Sequence, residues 1–356
     1  MRIQHITATS VFIPYAPPVG PYRGRTARGE GTMGASGLIV KIETDSDLVG
    51  WGEGTRTFET DPNPVLQDIH VGDIQEIHTR LEQAGISNGP ISGIEMALWD
   101  LLGKQACLPV CRLMGGHNRN EVEFTACFGL NEPAKSATTA REYIDRWGFR
   151  SLKTKAGNDA EEDLRIAEAV QKEIGDDASL RPDANAGYTP EEAGPLLQKL
   201  SDLGIRYYED PCSCEHPEAL AQFRAETNIK ILVNMGLNSN ENIRNILQHG
   251  AADFLMPDTP VNGGLLRVAE VTKTAQTWGV PCLMHCAHDL GLKTAAITHL
   301  AAALPNFSGP NDTCYHGLTD DILTEQLRFE NGKIRVPEAP GLGVEVDESK
   351  IEKYRV

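Results

Sequence analysis

From about residue 120 onward, short apolar segments alternate with longer segments of helical spacing, and this alternation constrains the fold more than any other feature. A regular strand–helix repeat predicts parallel strands that close into a barrel, with helices on the outside. The predicted strands cover residues 122–128, 151–155, 179–185, 207–210, 231–235, 254–257, 282–285 and 307–308. The fold class is therefore α/β.

The residues before 120 follow another pattern. Residues 2–13, 37–44 and 48–52 predict a small antiparallel sheet, and residues 64–84 and 90–106 have helical spacing. Residues 14–36, rich in proline, glycine and arginine, predict a loop. Residues 325–356 do not continue the repeat, and we expect them to return to the first domain. The predicted parts are an α+β domain (1–120), a barrel domain (121–324) and this C-terminal segment (325–356).

Composition excludes several classes of protein. The net charge of −17 argues against a protein that reads the nucleic-acid backbone, because such binding needs a basic face. The chain has no apolar run of about 18 residues, so no membrane span is expected, and its start lacks the apolar region of a signal peptide. Eight cysteines spread along the chain fit reduced thiols and predict a cytoplasmic protein.

Polar residues stand at the ends of the predicted strands. They are Lys153, Lys155, Asp183, Asn185, Glu209, Asn238, Asp258, His285 and Asp312. A barrel gathers the carboxyl ends of its strands on one face, so we expect these side chains to meet in one pocket.

These residue types suit the removal of a proton next to a carboxylate. Carboxylates such as Asp183 and Glu209 suit Mg²⁺, which would stabilise the negative charge that develops on the substrate. Lys155 and His285 would carry the proton, with Asp258 orienting the imidazole. Ordinary structural roles remain open: a core histidine for His285, and salt bridges at the barrel rim for the two acids.

The ordered set of these residues resembles the enolase superfamily, and within it the mandelate racemase subgroup. The resemblance covers nearly the whole chain, including the helix at 97–104 and the closing segment at 340–344. It implies a modified TIM barrel, (β/α)7β, with an N-terminal α+β capping domain. It also implies a small carboxylate substrate, with Lys155 and His285 as bases, Asp258 as the partner of His285, and Lys153 beside the substrate carboxylate. Barrels of this kind tend to associate, so we expect a homo-oligomer.

The loop at 14–36 and the segment at 55–60 match the two specificity loops of that family. This match makes Tyr22, Arg23 and Arg25 candidate substrate-binding residues, together with Asn185 and Asp312. The arginines of the loop, which include Arg28, are either solvated charges or a clamp for a substrate carboxylate.

The sequence departs from the family at two places. Leu237 stands where the family has a third acidic metal ligand, and Asn238 beside it offers only an amide oxygen. We therefore expect weak Mg²⁺ binding, through Asp183 and Glu209 with a possible contribution from Asn238. At the last strand, Asp312 is a candidate substitute for a glutamate that is frequent in the subgroup.

The reaction itself stays open between dehydration of a hydroxy or sugar acid and racemisation or epimerisation, and the habits of the family slightly favour dehydration. A non-catalytic binding member of the fold is an alternative. A cycloisomerase is another, although residues 259–261 lack the lysine usual for that class. Cys212, Cys214 and His216 hint at zinc, but their spacing is too tight for the usual sites, and we expect none there.

Overall fold

The computed structural model describes residues 1–25, 31–286 and 288–356. The N-terminal part contains β1 (Ile3–Pro14), β2 (Gly34–Thr44), β3 (Val49–Gly54), α1 (Asn63–Leu66), α2 (Ile74–Gln83), α3 (Asn88–Ala106) and α4 (Val110–Leu113). The barrel strands are β4 (Glu121–Phe128), β5 (Ser151–Lys155), β6 (Ser179–Asp183), β7 (Tyr207–Glu209), β8 (Lys230–Val233), β9 (Phe254–Leu255) and β10 (Asn311–Thr313). The barrel helices are α5 (Pro133–Trp147), α6 (Ala160–Ile174), α7 (Pro190–Asp202), α8 (Pro217–Glu226), α9 (Asn240–Gln248), α10 (Thr259–Asn262), α11 (Leu265–Thr277) and α12 (Gly291–Ala303). The C-terminal segment adds β11 (Lys333–Arg335) and α13 (Glu348–Lys353).

The parallel strands curl into a closed arrangement. Their order is β10-β4-β5-β6-β7-β8-β9, and single bridges from Cys282 to Leu255 and to Phe307 fill the gap between β9 and the eighth strand position. Helices follow each of the first seven strand positions. The predicted fold class, a (β/α)7β barrel with an N-terminal α+β domain, is confirmed.

Several predicted boundaries were wrong. β6 ends at Asp183 rather than at residue 185, because Asn185 and Ala186 have positive φ angles and leave the strand. The regular part of the last strand is β10, beyond the predicted residues 307–308, and the predicted helix at 64–84 is divided into α1 and α2. The differences from the predicted boundaries are small. They show that the polar residue Asn185 lies in the tight turn after its strand and not in the strand itself.

Local sequence signals fix where the barrel helices begin. The Asp159 side chain accepts the backbone N–H groups of Glu161 and Glu162 at the start of α6. Thr189 and Glu192 form a reciprocal capping box at the start of α7. Such caps satisfy N–H groups that have no partner within the helix, and they set each helix directly after its strand loop.

The N-terminal sheet lies directly on α3 because β3 carries glycine at alternate positions. A Cβ atom on Gly50 or Gly52 would clash with the α3 backbone. Glu53 alternates with these glycines and therefore points to the other face, where its carboxylate accepts the backbone N–H groups of Leu290 and Lys293. Glu53 thus ties the first domain to the start of α12.

The C-terminal segment contacts both parts of the molecule. β11 pairs antiparallel with β4 of the barrel, whereas the Tyr354 carbonyl accepts the N–H of Phe12 in β1.

In the part of the chain that the structure describes, none of the helices has the length and apolar character needed to cross a membrane.

Candidate active site

Strand register places the polar side chains in two layers inside the barrel. Cys127, Lys153 and Arg181 pair across β4, β5 and β6. Asp183 pairs with both Lys155 and Glu209 across β5, β6 and β7. Paired residues of parallel strands point to the same face, so residues distant in sequence become neighbours in the interior.

Lys153 is fully buried and bound by three carboxylates. Its Nζ lies 2.8 Å from Glu209 Oε1, 2.7 Å from Asp312 Oδ2 and 3.1 Å from Asp183 Oδ2. Burial opposes the charge, but these acids raise the pKa of Lys153 well above its usual value. Lys153 donates hydrogen bonds to Glu209 and Asp312 and is also ion-paired with Asp183, so its ammonium is largely engaged by protein carboxylates rather than held open for the expected contact with a substrate carboxylate.

Arg181 closes the same network from the neighbouring strand. Its guanidinium contacts Asp312 and also lies 3.1 Å from Glu209 Oε2. Asp312 is therefore held between Lys153 and Arg181. Although Asp312 faces the interior as expected, its carboxylate is already engaged by two cations.

Lys155 lies at the end of β5, where its side chain is less enclosed than that of Lys153. Its Nζ lies 2.5 Å from Asp183 Oδ2 and donates to Asn185 Oδ1 at 2.9 Å. Burial disfavours the ionised form of Asp183, yet Lys153 and Lys155 hold its pKa far below the usual value. Asp183 and Asn185 therefore set the position of the Lys155 amine.

His285 approaches from the seventh strand position and is oriented by a buried relay. Asp258 Oδ2 lies 3.0 Å from His285 Nδ1, and Asp258 Oδ1 lies 2.7 Å from Lys293 Nζ. Lys293 also donates to Asp289 at 2.7 Å. Burial favours a neutral Asp258, but Lys293 and His285 hold its pKa below the usual value. An ionised Asp258 fixes the hydrogen on Nδ1 and leaves Nε2 for proton transfer.

The lysine side and the histidine side meet at Glu209. A ring nitrogen of His285 and carboxylate oxygens of Glu209 and Asp312 all lie within 4.8 Å of one another. Glu209 also contacts Lys153, which in turn contacts Asp183 and so reaches Lys155. Burial and the neighbouring Asp183 raise the pKa of Glu209 to about 7. Carboxylates therefore lie between the two candidate proton carriers.

The acidic residues fit a magnesium ion through two side chains. Carboxylate oxygens of Asp183, Glu209 and Asp210 lie within 4.8 Å of one another. Oε2 of Glu209 is buried and accepts no hydrogen bond from the described residues, although the Arg181 guanidinium lies 3.1 Å away as an ion-pair partner. Asp210 is less suited, because its oxygens accept the backbone N–H groups of Asn234 and Met235. Mg²⁺ commonly uses one or two carboxylates and completes its shell with waters and substrate.

The turn after β8, the fifth strand of the barrel, supplies no third acidic ligand. Leu237 is buried in the apolar core. Asn238 was expected as a possible ligand, but this was wrong: it is exposed and lines a surface groove with Arg244 and Trp278. Both residues lie in the turn that follows β8, where Gly236 has a φ of 87°, and this turn directs Leu237 inward and Asn238 outward.

The loop before residue 26 covers part of the barrel mouth. Tyr22 is buried against His288, with ring centroids 4.6 Å apart, and Tyr15 Oη lies 2.8 Å from His288 Nδ1. Burial, together with Lys155, lowers the pKa of His288 to about 4, so this ring is neutral near pH 7. Tyr22 therefore lies at the mouth beside His288, and its contact with a substrate stays a prediction.

The arginines of this loop differ in position. Arg25 packs against Gly157 and Gly187, in the loops that follow β5 and β6, and its Nε is buried without a hydrogen-bond partner in the described residues. Arg23 is exposed, and Leu130 donates its N–H to the Arg23 carbonyl. Arg28 lies outside the described residues. The two described arginines line one groove with Leu130 and Asp159, and Arg25 is the one whose side chain packs against the loops that follow β5 and β6.

Comparison with family models matches both parts of the chain. Residues 24–115 match the mandelate racemase / muconate lactonizing enzyme N-terminal domain, and residues 135–350 match the enolase C-terminal domain-like model. The chain belongs to the mandelate racemase/muconate lactonizing enzyme family of the enolase superfamily. The resemblance predicted from the motifs is thereby confirmed.

Relatives within this family carry out different reactions. A probable glucarate dehydratase of Streptomyces coelicolor is 30% identical over 325 residues, which cover 86% of this chain and 74% of the relative. A D-galactarolactone cycloisomerase of Agrobacterium fabrum is 30% identical over 346 residues, or 90% and 91% of the two chains. The solved structure of an N-succinyl Arg/Lys racemase from Bacillus cereus superposes with a TM-score of 0.90 at 25% identity, covering 100% of this chain and 98% of that chain.

Sequence reasoning missed several residues of the site. Lys293 and Arg181 hold Asp258 and Asp312, and His288 lines the mouth beside Lys155. A signal for Lys293 was present, because it is a lone charge in α12, whose residues are otherwise apolar or uncharged and buried all around. A charged residue in such a helix needs a buried partner.

Proposed function

We propose that this member of the family removes a proton from the carbon next to the carboxylate of a small organic acid. One observation carries this proposal: Asp183 and Glu209 lie between Lys155 on one strand and the Asp258–His285 pair on another. Two proton carriers that flank a group of carboxylates suit a carbon acid held between them.

In this proposal each residue has a definite task. Lys155 takes or returns a proton on one side of the substrate, and His285 does so on the other, with Asp258 holding its ring. Asp183 and Glu209 would hold a magnesium ion, which supplies positive charge where the substrate carboxylate gains negative charge. Arg25 would bind the distal end of the substrate, because its side chain packs against the loops after β5 and β6.

We propose dehydration of a hydroxy acid as the first outcome to test. The α-proton leaves to one carrier, the C–O bond to the β-hydroxyl breaks, and the protonated His285 donates its hydrogen so that water departs. The resulting enol becomes a 2-keto acid. Racemisation or epimerisation uses the same two carriers without loss of a group, since a proton removed on one side returns on the other.

Deuterium exchange provides the test. The protein is incubated in D2O with Mg²⁺ and a library of acid sugars and N-acylated amino acids, and α-deuterium is followed by NMR. We expect exchange with at least one acid, accompanied by water loss or by inversion at the α-carbon. If no acid exchanges while calorimetry also finds no Mg²⁺ affinity, the proposed function is wrong and a binding role takes its place.

A further inference from the structure

Three cysteines from different strand positions meet inside the barrel. Cys127 is the penultimate residue of β4, Cys286 directly follows His285, and Cys314 directly follows β10. Their sulfur atoms all lie within 4.8 Å of one another, and all three residues are buried. Cys127 precedes the other two cysteines by more than a hundred residues. The fold alone therefore brings the three together.

Strand order explains the meeting. The first, seventh and eighth strand positions are neighbours in the closed barrel, and Thr313 of β10 pairs with Ala126 of β4. Cys314 therefore lies beside Cys127. Cys127 also pairs with Lys153, whose side chain points into the barrel, so its sulfur points inward as well. The cluster lies beside the carboxylate network but uses none of its residues.

We propose that Cys127, Cys286 and Cys314 form a three-sulfur binding site for a soft, thiophilic metal ion of the Cu(I) type. Thiolate sulfur selects Cu(I) and related soft ions over the hard ions that carboxylates bind. Three sulfurs bonded to one ion at about 2.3 Å lie about 4 Å apart, which agrees with the observed spacing. Binding displaces the thiol protons to solvent.

The ligand set favours an ion that takes three ligands. No further histidine, cysteine or carboxylate joins this group among the described residues, whereas zinc in proteins takes four ligands. The group thus offers sulfur alone, without the oxygen ligands that a harder ion would use.

The test uses the full chain with Cys212 and Cys214 replaced by serine, so that this second cysteine pair cannot compete. Cu(I), kept reduced anaerobically with ascorbate, is titrated against a chromogenic Cu(I) chelator. We expect one tightly held ion per chain. Loss of an outer-shell partner weakens metal affinity by roughly 10–100-fold, and loss of a direct ligand should cost at least as much. Cys127→Ser or Cys314→Ser should therefore weaken Cu(I) affinity by at least this factor. Cys282→Ser is the matched control, since Cys282 is equally buried on the seventh strand position but outside the cluster, and it should bind unchanged.

X-ray absorption on the loaded, otherwise unaltered protein gives a second readout that does not depend on how the variants fold. Three sulfur neighbours around copper support the proposal. Two sulfurs, a nitrogen neighbour, binding that survives Cys127→Ser, or no uptake would overturn it. Uptake of Zn²⁺ with no uptake of Cu(I) would overturn the assignment to a soft ion. None of these outcomes depends on catalytic activity.

Discussion

The two sides of the site use a buried lysine in different ways. Lys153 is shared by three carboxylates, and Arg181 contacts two of the same acids, so cations and acids form a closed network. On the other side, Lys293 is shared by Asp258 and Asp289, and Asp258 also contacts His285. The first side holds carboxylates in place, whereas the second side holds a histidine in one orientation.

This difference separates the two lysines of β5. Lys153 is enclosed by acids that keep it protonated, so it is unsuited to act as a base. Lys155 is less enclosed and stands at the strand end, where a substrate would meet it. A magnesium ion at Asp183 and Glu209 would compete with Lys153 for the same oxygens, which is one reason to expect weak metal binding.

The largest expected effect comes from removing either proton carrier. Lys155→Met or His285→Asn should lower kcat by about 10²–10⁴-fold, the usual contribution of a general acid or base. Steady-state kinetics on a substrate found by the exchange screen measures it. Lys172→Met, which alters an exposed lysine of α6, is the control and should leave kcat unchanged. Full activity in either site variant would dismiss that residue's role.

Breaking the relay on the histidine side should cost stability as well as activity. Lys293→Met leaves Asp258 and Asp289 buried without their cation, and loss of one partner of a buried pair costs about 3–5 kcal/mol. Urea unfolding measures the change, and Lys199→Met, at an exposed position of α7, should change stability by less than about 0.5 kcal/mol.

The same variant predicts a shift in pH dependence. Lys293 lowers the pKa of Asp258, so without it that pKa rises and Asp258 becomes protonated at a higher pH. The stability that an ionised Asp258 contributes is present at higher pH and lost as pH falls through its folded pKa. The acid limb of kcat and of stability should therefore move to higher pH in Lys293→Met. An unchanged acid limb would show that Lys293 does not act through Asp258.

A smaller effect is expected from restoring the missing acid. Leu237→Glu should tighten Mg²⁺ binding about tenfold, or about 1.4 kcal/mol, because a third carboxylate adds a hard oxygen ligand. The new side chain must leave the apolar core, so the metal-free variant should also melt at a lower temperature. Calorimetry and melting with and without Mg²⁺ measure both effects. Leu237→Gln is the control, and equal Mg²⁺ affinity in the two variants would mean that this position does not face the site.

The smallest expected difference separates two arginines of one loop. Arg25→Ala should raise KM by about tenfold, as expected for loss of one hydrogen bond to a charged group. Arg23→Ala should change KM little, because Arg23 is exposed. Equal effects of the two substitutions would contradict the assignment of Arg25 to the substrate.

The fold was largely predictable because strand and helix periodicity is local. The order of polar strand ends also predicted that Asp183, Glu209, Asp258 and His285 come together inside the barrel. What the sequence could not give were pairings between distant side chains. The partners of Lys153 and the contact between Lys293 and Asp258 depend on how the barrel closes. The outward position of Asn238 depends on the turn after β8, where Gly236 has a φ of 87°. The meeting of the three cysteines likewise follows from strand order, not from spacing.

Exchange of the α-proton in the two single variants tests the central claim most directly. Each stereoisomer of a substrate is incubated in D2O with Lys155→Met or with His285→Asn, and the α-hydrogen is followed by NMR. If Lys155 and His285 serve opposite faces of one carbon, each variant should still exchange the isomer whose proton faces the remaining carrier and should fail with the other isomer. Loss of exchange for the same isomer in both variants, or retention for both isomers, would contradict the account.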